Sequence, residues 1–455
     1  MQRALSFDHT PSLAVPLRFF FTAPVFALAA GLFLLWQGEA AFVSRWAPPT
    51  LALTHLLTLG FMAMCMIGSL LQILPVVAGV GITAPRLVGG GVHALLTAGT
   101  LLLCCGFVTG IALLLQLAVP LLGLAFALLL FVGVHQVWRG LLRGAIRRPP
   151  AQPVLGAIRL ALIALMVTVM LGIAAASAFG WRQSVPLLLL IDLHASWGLI
   201  GWIFLLTAGV AYQVVPMFQQ TPSYPPLVTR WLAGLVLGLL ALWSGARVIE
   251  AKVLGMVPGL ALAALAAAFA LYTMWQIGRK KLLGKPGQVR SPTEAPTLFW
   301  LLALSSLAAS VLVWLLLQAW PSTARPLAGA CDSNLLVGVL FLAGFAVPVV
   351  NGMLYKIVPF LTWYHLQSNC IKAPNVRQFL PNAQAIWQFR VHVIALALLS
   401  AAALWPSVLA RTAGAAFALS MLLLCVNLWR TLLFFRSALQ TTASPRRPVA
   451  QMATG

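Results

Sequence analysis

The chain has 455 residues, of which 62% are hydrophobic and only 7% are charged, and its mean hydropathy is +0.99. A soluble domain of this size needs several times more charge to cover its surface, so the composition excludes a soluble globular protein. The formal net charge of +22 is of a kind that nucleic-acid-binding proteins also carry, but its distribution along the chain argues against that class.

Apolar runs of about 20 residues, the length that crosses a hydrocarbon core of roughly 30 Å, recur along the whole chain. They predict an all-α polytopic membrane protein with one membrane domain, residues 1–455, and about twelve transmembrane helices. The first is interpreted as a retained helix and not a removed signal peptide, because it is long, contains Pro24 and has no small-residue cleavage site after it. The predicted spans are 17–36, 51–77, 87–112, 117–137, 158–180, 187–216, 229–249, 255–277, 298–320, 333–360, 391–406 and 412–435.

The basic residues are distributed unevenly between the two sides that these spans define. Of the 28 lysines and arginines, 22 fall in or beside the two termini and the even-numbered loops. By the positive-inside rule, this bias places both termini in the cytoplasm, in a bacterial-type inner membrane. The lipid bilayer is therefore a predicted partner, and nucleic acid is not. The six exceptions are Arg45, Arg182, Arg247, Lys252, Arg325 and Arg411.

The second predicted span contains the densest set of candidate ligands. His55 lies toward the outer face, and neutral imidazole is a ligand for both haem iron and copper. Met62 and Met66 follow in "FMAMCMIG", one turn apart and on the α-helical face of His55, and thioether ligands suit Cu(I). The alternatives are an interfacial histidine bonded to backbone or water, and methionines that fill the apolar core.

The sixth predicted span places His194 toward the same outer face, with Asp192 beside it. With His55 it predicts a site for one b-type haem or for copper, in which Asp192 fixes the His194 ring or acts as a proton group. His55 precedes Pro75 by 20 residues, whereas His194 precedes Pro216 by 22. Two residues on a helix correspond to about 200° of rotation, so the two rings are expected to face differently unless a kink intervenes.

The second, sixth and tenth spans end in similar phrases, "GSLLQILPVV", "GVAYQVVPMF" and "GMLYKIVPFL". Their prolines, Pro75, Pro216 and Pro359, are 141 and 143 residues apart. A glycine stands seven residues before each proline, a glycine–aromatic pair begins fifteen before it, and a polar side chain stands three before it. Matched positions in three copies predict an internal repeat.

The repeat unit is four helices, so all copies point the same way across the membrane, which disfavours inverted-repeat transporters. We predict three pseudo-threefold four-helix arcs, 17–137, 158–277 and 298–435, with the marked helix of each arc lining the centre. An alternative division joins residues 1–80 to the C-terminal helices.

Gln72, Gln213 and Lys356 occupy one repeat-equivalent position near the inner membrane face. If the pseudo-axis exists, they predict a polar cluster there. A buried lysine needs a partner or loses its proton. Lys356 alternatively extends to the cytoplasmic interface, because its helix ends only a few residues later.

The stretches "LTHLLTLGFMAMCMIGSLLQILPVVAG" and "DLHASWGLIGWIFLLTAGVAYQVVPMF" are similar to the second and sixth helices of the cbb-type branch of haem-copper oxidase subunit I. "GMLYKIVPFLTWYHLQ" resembles the end of the tenth helix in relatives of that branch. The resemblance covers most of the chain and implies that family's fold, with twelve helices in three arcs. It also implies a haem or copper cofactor and respiratory or cytochrome partner subunits.

Catalytic members of that family use six histidines, on the second, sixth, seventh and tenth helices, to hold two haems and a copper. Here His55 fits the second helix and His194 the sixth, but the predicted seventh and tenth spans contain no histidine. Gly198 stands four residues after His194, where the family has a tyrosine. The resemblance therefore implies a degenerate relative without a canonical oxygen-reducing centre, and no catalytic residue is predicted.

The expected function is a redox, sensing or assembly role for a membrane protein that binds one haem b, one copper or no cofactor at all. Two alternatives stay open, because fold does not fix function. One is a permease for a small molecule or a metal ion on the same scaffold. The other is a cofactor-free partner subunit of a respiratory complex. Whether the protein is an enzyme is left open.

Overall fold

The computed structural model describes residues 10–78, 81–142, 152–282, 294–319, 334–368 and 374–443. Within these residues the chain is helical, without a β-strand, and twelve helices are long and apolar enough to cross a membrane. The predicted all-α polytopic fold with twelve spans is therefore confirmed. The helices, labelled α1 to α12 in order, are Ala14–Phe42, Pro48–Val76, Pro85–Thr109, Ala112–His135, Pro153–Trp181, Leu187–Gln219, Pro226–Val248, Lys252–Arg279, Ala295–Ala319, Asn334–Ser368, Asn382–Ala402 and Pro406–Gln440.

Helix α11 differs most from its prediction, since it begins at Asn382 and not at residue 391. The polar sequence before residue 391 is typical of a loop, yet it is helical and its Gln388 is completely buried. Gln388 bonds to Ser420 on α12, so the polar face of this segment has partners inside the protein. Hydropathy alone underestimates the length of such a helix.

Helix α10 extends past its predicted end at residue 360 to Ser368 and so includes His365. The prediction that the tenth span has no histidine is therefore wrong. His365 donates from Nδ1 to the main-chain oxygen of Leu361 at 3.1 Å. It follows Pro359 by six residues, whereas His55 precedes Pro75 by 20. If Pro75 and Pro359 lie at the same depth in the membrane, about 26 residues, or roughly 40 Å of helix, separate His55 from His365 across the membrane. His365 therefore cannot supply a missing ligand beside His55.

Three helices form the interior of the bundle. In the most apolar stretch of α2, α6 and α10, 72% of the residues are buried, against 22–50% in the other nine helices, counted over the described residues. Those nine pack in a cycle, in which α1 contacts α3 and then α4, α5, α7, α8, α9, α11 and α12 follow back to α1. The three helices that end in the repeated phrases are therefore the most enclosed ones.

Each inner helix contains a π-helical segment, with a wider turn than an α-helix. The segments are Leu56–Ala63 in α2, Trp197–Phe204 in α6 and Leu340–Ala346 in α10. All three begin 19 residues before the proline of their phrase. The sequence match between the phrases thus extends to an uncommon backbone conformation at a matched position.

The repeated glycines lie at close helix contacts. A Cβ atom at Gly209 would lie 2.4 Å from the Cβ of Ala157 on α5, and one at Gly201 would lie 2.8 Å from the Cβ of Ala164. In each case the glycine faces the helix that immediately precedes it, and the two partner residues on that helix are seven residues apart. The corresponding pairs are Gly60 with Phe26 and Gly68 with Phe19 on α1, and Gly344 with Ser306 and Gly352 with Phe299 on α9.

Candidate functional site

Two histidines on different inner helices meet. His55 ends the first α-helical segment of α2, and His194 lies in the first α-helical segment of α6, so each ring stands just before a π-helical segment. The ring centroids are 6.1 Å apart, and the ring planes differ by 13°. The two rings therefore meet, even though His55 and His194 are not equivalent positions of the repeat. Neighbouring helices face each other with different sides, so non-equivalent positions are the ones that meet.

Both imidazoles are held in the same tautomer by main-chain oxygens. The Nδ1 of His55 is 2.7 Å from the Leu51 oxygen, and the Nδ1 of His194 is 2.9 Å from the Thr168 oxygen on α5. A carbonyl can only accept, so Nδ1 carries the proton in both rings. The Nε2 atom of each ring keeps its lone pair, which is the arrangement that metal-ligating histidines use.

Apolar groups surround the histidine pair. The ring centroid of Phe107 on α3 is 5.5 Å from that of His55, and Phe179 on α5 packs edge-on against Phe107 at 6.0 Å. Gly172 on α5 lies under the other ring, since a Cβ there would be 2.7 Å from Cε1 of His194. The site therefore lies between α2, α3, α5 and α6, with two neutral nitrogen donors, and among the described residues no carboxylate bonds to either ring.

Of the two predicted roles of Asp192, the orientation of the His194 ring falls instead to the Thr168 oxygen, and a role as a proton group stays a prediction. The Asp192 carboxylate pairs with Arg247 on α7 at 2.8 Å and with Arg45 before α2 at 3.2 Å. Residues two apart on a helix point about 200° away from each other, which explains why Asp192 faces the arginines while Thr168 holds the ring. The carboxylate joins α6 to α7 and to the α1–α2 connection.

Met62 and Met66 are buried in the apolar core, 0% and 7% exposed. The spacing that places them on the face of His55 holds for 3.6 residues per turn, but Leu56–Ala63 is π-helical, with about 4.4 residues per turn. The α-helical spacing that predicts a shared face for His55 and the two methionines therefore no longer applies. Within the described residues, no three His, Cys, Asp or Glu side chains are grouped to hold a metal, and the role of the two methionines as copper ligands stays a prediction.

Of the predicted polar cluster, Lys356 forms an ion pair with Glu294 just before α9. Arg377 adds a second positive charge to Glu294, at 3.7 Å. Gln72 is on another inner helix, and its Oε1 is buried without a hydrogen bond. Among the described residues, no hydrogen bond links either residue to Gln213, so a convergent cluster stays a prediction.

A buried hydrogen-bond chain between α10, α11 and α12 is absent from the sequence predictions. Asn427 donates to the hydroxyl of Tyr355 at 2.9 Å, and that hydroxyl donates to Oε1 of Gln388 at 3.4 Å. Gln388 donates to the Ser420 hydroxyl at 2.9 Å, which lies 3.3 Å from Nδ1 of His392. The available sequence signal is the spacing of Gln388 and His392, four residues apart and so on one helix face.

The hydrogen-bond chain ends at the main-chain oxygen of Ala343. Helix α10 itself supplies no backbone N–H to this oxygen. The N–H of Val347 bonds to the Leu342 oxygen and not to that of Ala343, as a regular α-helix would have it. The next residue, Pro348, has no N–H. The Nε2 of His392 lies 3.0 Å from the Ala343 oxygen and donates to it. His392 therefore satisfies a carbonyl freed by the π-helical segment.

Replacing His392 by alanine is expected to lower the free energy of unfolding by about 1–3 kcal/mol, because the Ala343 oxygen and the Ser420 hydroxyl lose a buried partner. The measurement is thermal unfolding of the detergent-purified protein. His135→Ala is the control, since His135 is exposed on α4 and stacks on Phe131. Equal unfolding temperatures for the two variants would contradict the assigned role.

No family model matches this chain, and no curated protein matches it at a significant level. The function is therefore inferred from the site. Its central feature is the pair formed by His55 and His194, each with Nδ1 bonded to a main-chain oxygen and Nε2 available.

Proposed function

We propose that this membrane protein holds one metal centre, a b-type haem or a copper ion, between His55 and His194 and serves a redox, sensing or assembly role. The observation that carries the proposal is the matched pair of imidazoles with anchored Nδ1 atoms. The fixed tautomer removes the need to reorganise the rings when a metal binds.

The distance between the rings supports a shared ligand. The ring centroids are 6.1 Å apart, so one group placed between the two helices would be within reach of both imidazoles. Two neutral nitrogen donors in apolar surroundings suit Cu(I) or haem iron, whereas Mg²⁺ and Ca²⁺ require oxygen ligands. When bound, such a centre supplies one-electron chemistry, and the surrounding phenylalanines limit water access.

The scaffold we propose is that of haem-copper oxidase subunit I, in three four-helix arcs. Its support is threefold: the three inner helices carry the repeated phrases, the π-helical segments begin at matched positions, and the repeated glycines have matched contacts. Helix α7, Pro226–Val248, has no histidine, so the binuclear oxygen-reducing centre of that family has no counterpart here. A respiratory or cytochrome subunit is the proposed electron partner, which is expected to co-purify.

The test is an absorption spectrum, oxidised and dithionite-reduced, of the detergent-purified protein, with metal analysis of the same sample. A reduced α-band with stoichiometric iron, or stoichiometric copper without that band, would support the proposal and decide between the cofactors. A colourless, metal-free sample from cells supplied with haem and copper would overturn it.

Gly172→Ala is expected to weaken metal binding about 10–100-fold, the usual effect of disturbing a group that orients a ligand. The added methyl would lie 2.7 Å from Cε1 of His194 and would push the ring off the Thr168 oxygen. Titration with the metal found in the wild type measures the effect. Gly156→Ala on the same helix is the control, because a Cβ there meets nothing within 4 Å, and an equal effect of both variants would refute the mechanism.

A permease is the second candidate function, and buried polar atoms on the inner helices favour it. Asn351 on α10 is 0% exposed, and neither of its amide atoms has a hydrogen bond to a described residue. Oε1 of Gln72 on α2 is likewise buried with no hydrogen bond among the described residues. Such groups are found where water or a substrate passes. Substrate flux in proteoliposomes that is unchanged by removal of iron and copper would favour this function over the metal site.

For the orientation, we propose both termini in the cytoplasm of a bacterial-type inner membrane. The support is the bias of lysine and arginine toward the termini and the even loops. Reporter fusions test it: a C-terminal alkaline phosphatase should be inactive and a C-terminal green fluorescent protein should fluoresce. The reverse pattern would place the termini outside.

A further inference from the structure

Two adjoining grooves lie on the surface of the helix bundle where α1 meets α12. Their volumes are about 530 and 450 Å³, and Phe21 and Trp429 line both. The walls are otherwise mainly apolar, with Val25 and Leu433 in one groove and Leu17 and Phe435 in the other. The volumes lie in the range of about 300–1,000 Å³ that is typical of ligand sites.

The grooves exist because α1 and α12 touch closely in one half of the membrane and less closely in the other. A Cβ at Gly31 would lie 2.5 Å from the main-chain nitrogen of Ala418, and one at Gly414 would lie 2.5 Å from that of Leu35. These glycines let the backbones meet in the half away from the chain ends. In the other half, Phe21 and Trp429 stand between the helices, with ring centroids 6.4 Å apart.

Three arginines line the grooves: Arg18 on α1, and Arg430 and Arg436 on α12. Neither helix contains an acidic residue except Glu39 at the far end of α1, and the sequence has none after Asp332. Within the described residues none of the three arginines forms an ion pair. Arg18 donates from Nε to the Ala14 oxygen at 3.2 Å, and its Nη1 lies beside Gly90 on α3, where a Cβ would be 2.8 Å away.

We propose that this surface binds one anionic phospholipid, with its acyl chains along the two grooves and its phosphate among Arg18, Arg430 and Arg436. Apolar grooves beside arginines that form no ion pair with any described residue match the two parts of such a molecule, and basic pockets between transmembrane helices bind lipid headgroups in this way. The lipid links the first and last spans, α1 and α12.

The test compares purified protein, stripped of lipid in detergent, after addition of phosphatidylglycerol or phosphatidylcholine. Native mass spectrometry measures bound lipid, and thermal unfolding measures stabilisation. We expect one phosphatidylglycerol per chain and a higher unfolding temperature, with neither effect from phosphatidylcholine. The double variant Arg430→Gln/Arg436→Gln should bind phosphatidylglycerol roughly thirtyfold more weakly.

The control is Arg279→Gln, which removes an exposed arginine at the same end of α8 and should bind phosphatidylglycerol like the wild type. Equal binding of the two lipids by the wild type would overturn the proposal, a result that does not depend on any variant folding. So would an unchanged affinity of the double variant, or full stabilisation by inorganic phosphate alone.

Discussion

Replacing His55 by alanine is expected to abolish metal binding, with a fall in affinity of more than about 100-fold. The reason is that His55 supplies one of only two protein nitrogens at the proposed centre, and the loss of a group that merely orients a ligand already costs about 10–100-fold. The absorption spectrum and the metal content of the purified variant measure the effect. His194→Ala should give the same result, since the proposed centre needs both rings.

His135→Ala is the matched control, because this histidine is exposed on α4, where it stacks on Phe131. It should keep the wild-type spectrum. His55→Gly with added imidazole provides a second readout, because a free imidazole can occupy the space and restore ligation, whereas it cannot repair a folding defect. Full metal content in His55→Ala would show that the metal lies elsewhere.

Replacing Gly209 by alanine is expected to destabilise the fold by about 1–3 kcal/mol, the usual effect of overpacking. The new methyl would lie 2.4 Å from the Cβ of Ala157, a distance that forces α5 and α6 apart. Both helices carry parts of the histidine site, since Thr168 holds the ring of His194. Thermal unfolding is the measurement, and a weaker metal site should accompany the lower stability.

A compensating substitution tests this explanation, because Ala157→Gly removes the Cβ atom that the new methyl group would clash with. The double variant Gly209→Ala/Ala157→Gly should recover most of the lost stability. Gly238→Ala on α7 should have little effect, because a Cβ there meets nothing within 4 Å. A double variant no more stable than Gly209→Ala alone would show that this contact does not limit the packing.

The sequence determines the number and character of the helices, because spanning is a local property. A segment of about 20 apolar residues must satisfy its backbone hydrogen bonds within itself inside a bilayer, which leaves the helix as its solution. The repeated glycines also mark close packing from the sequence alone, as Gly201 and Gly209 show on α6. Local reasoning fails at α11, where Gln388 is polar by composition but buried by its partners.

Only the tertiary structure decides which side chains meet. The sequence contains both His55 and His194, but their contact depends on the rotation and approach of α2 and α6, which no local pattern encodes. The π-helical segments alter that rotation, and the 3.6 residues per turn on which the face assignment of Met62 rests do not hold there. His392 finds its carbonyl on another helix, 49 residues away in the chain. Helix formation is fixed by neighbours in sequence, whereas the site is fixed by neighbours in space.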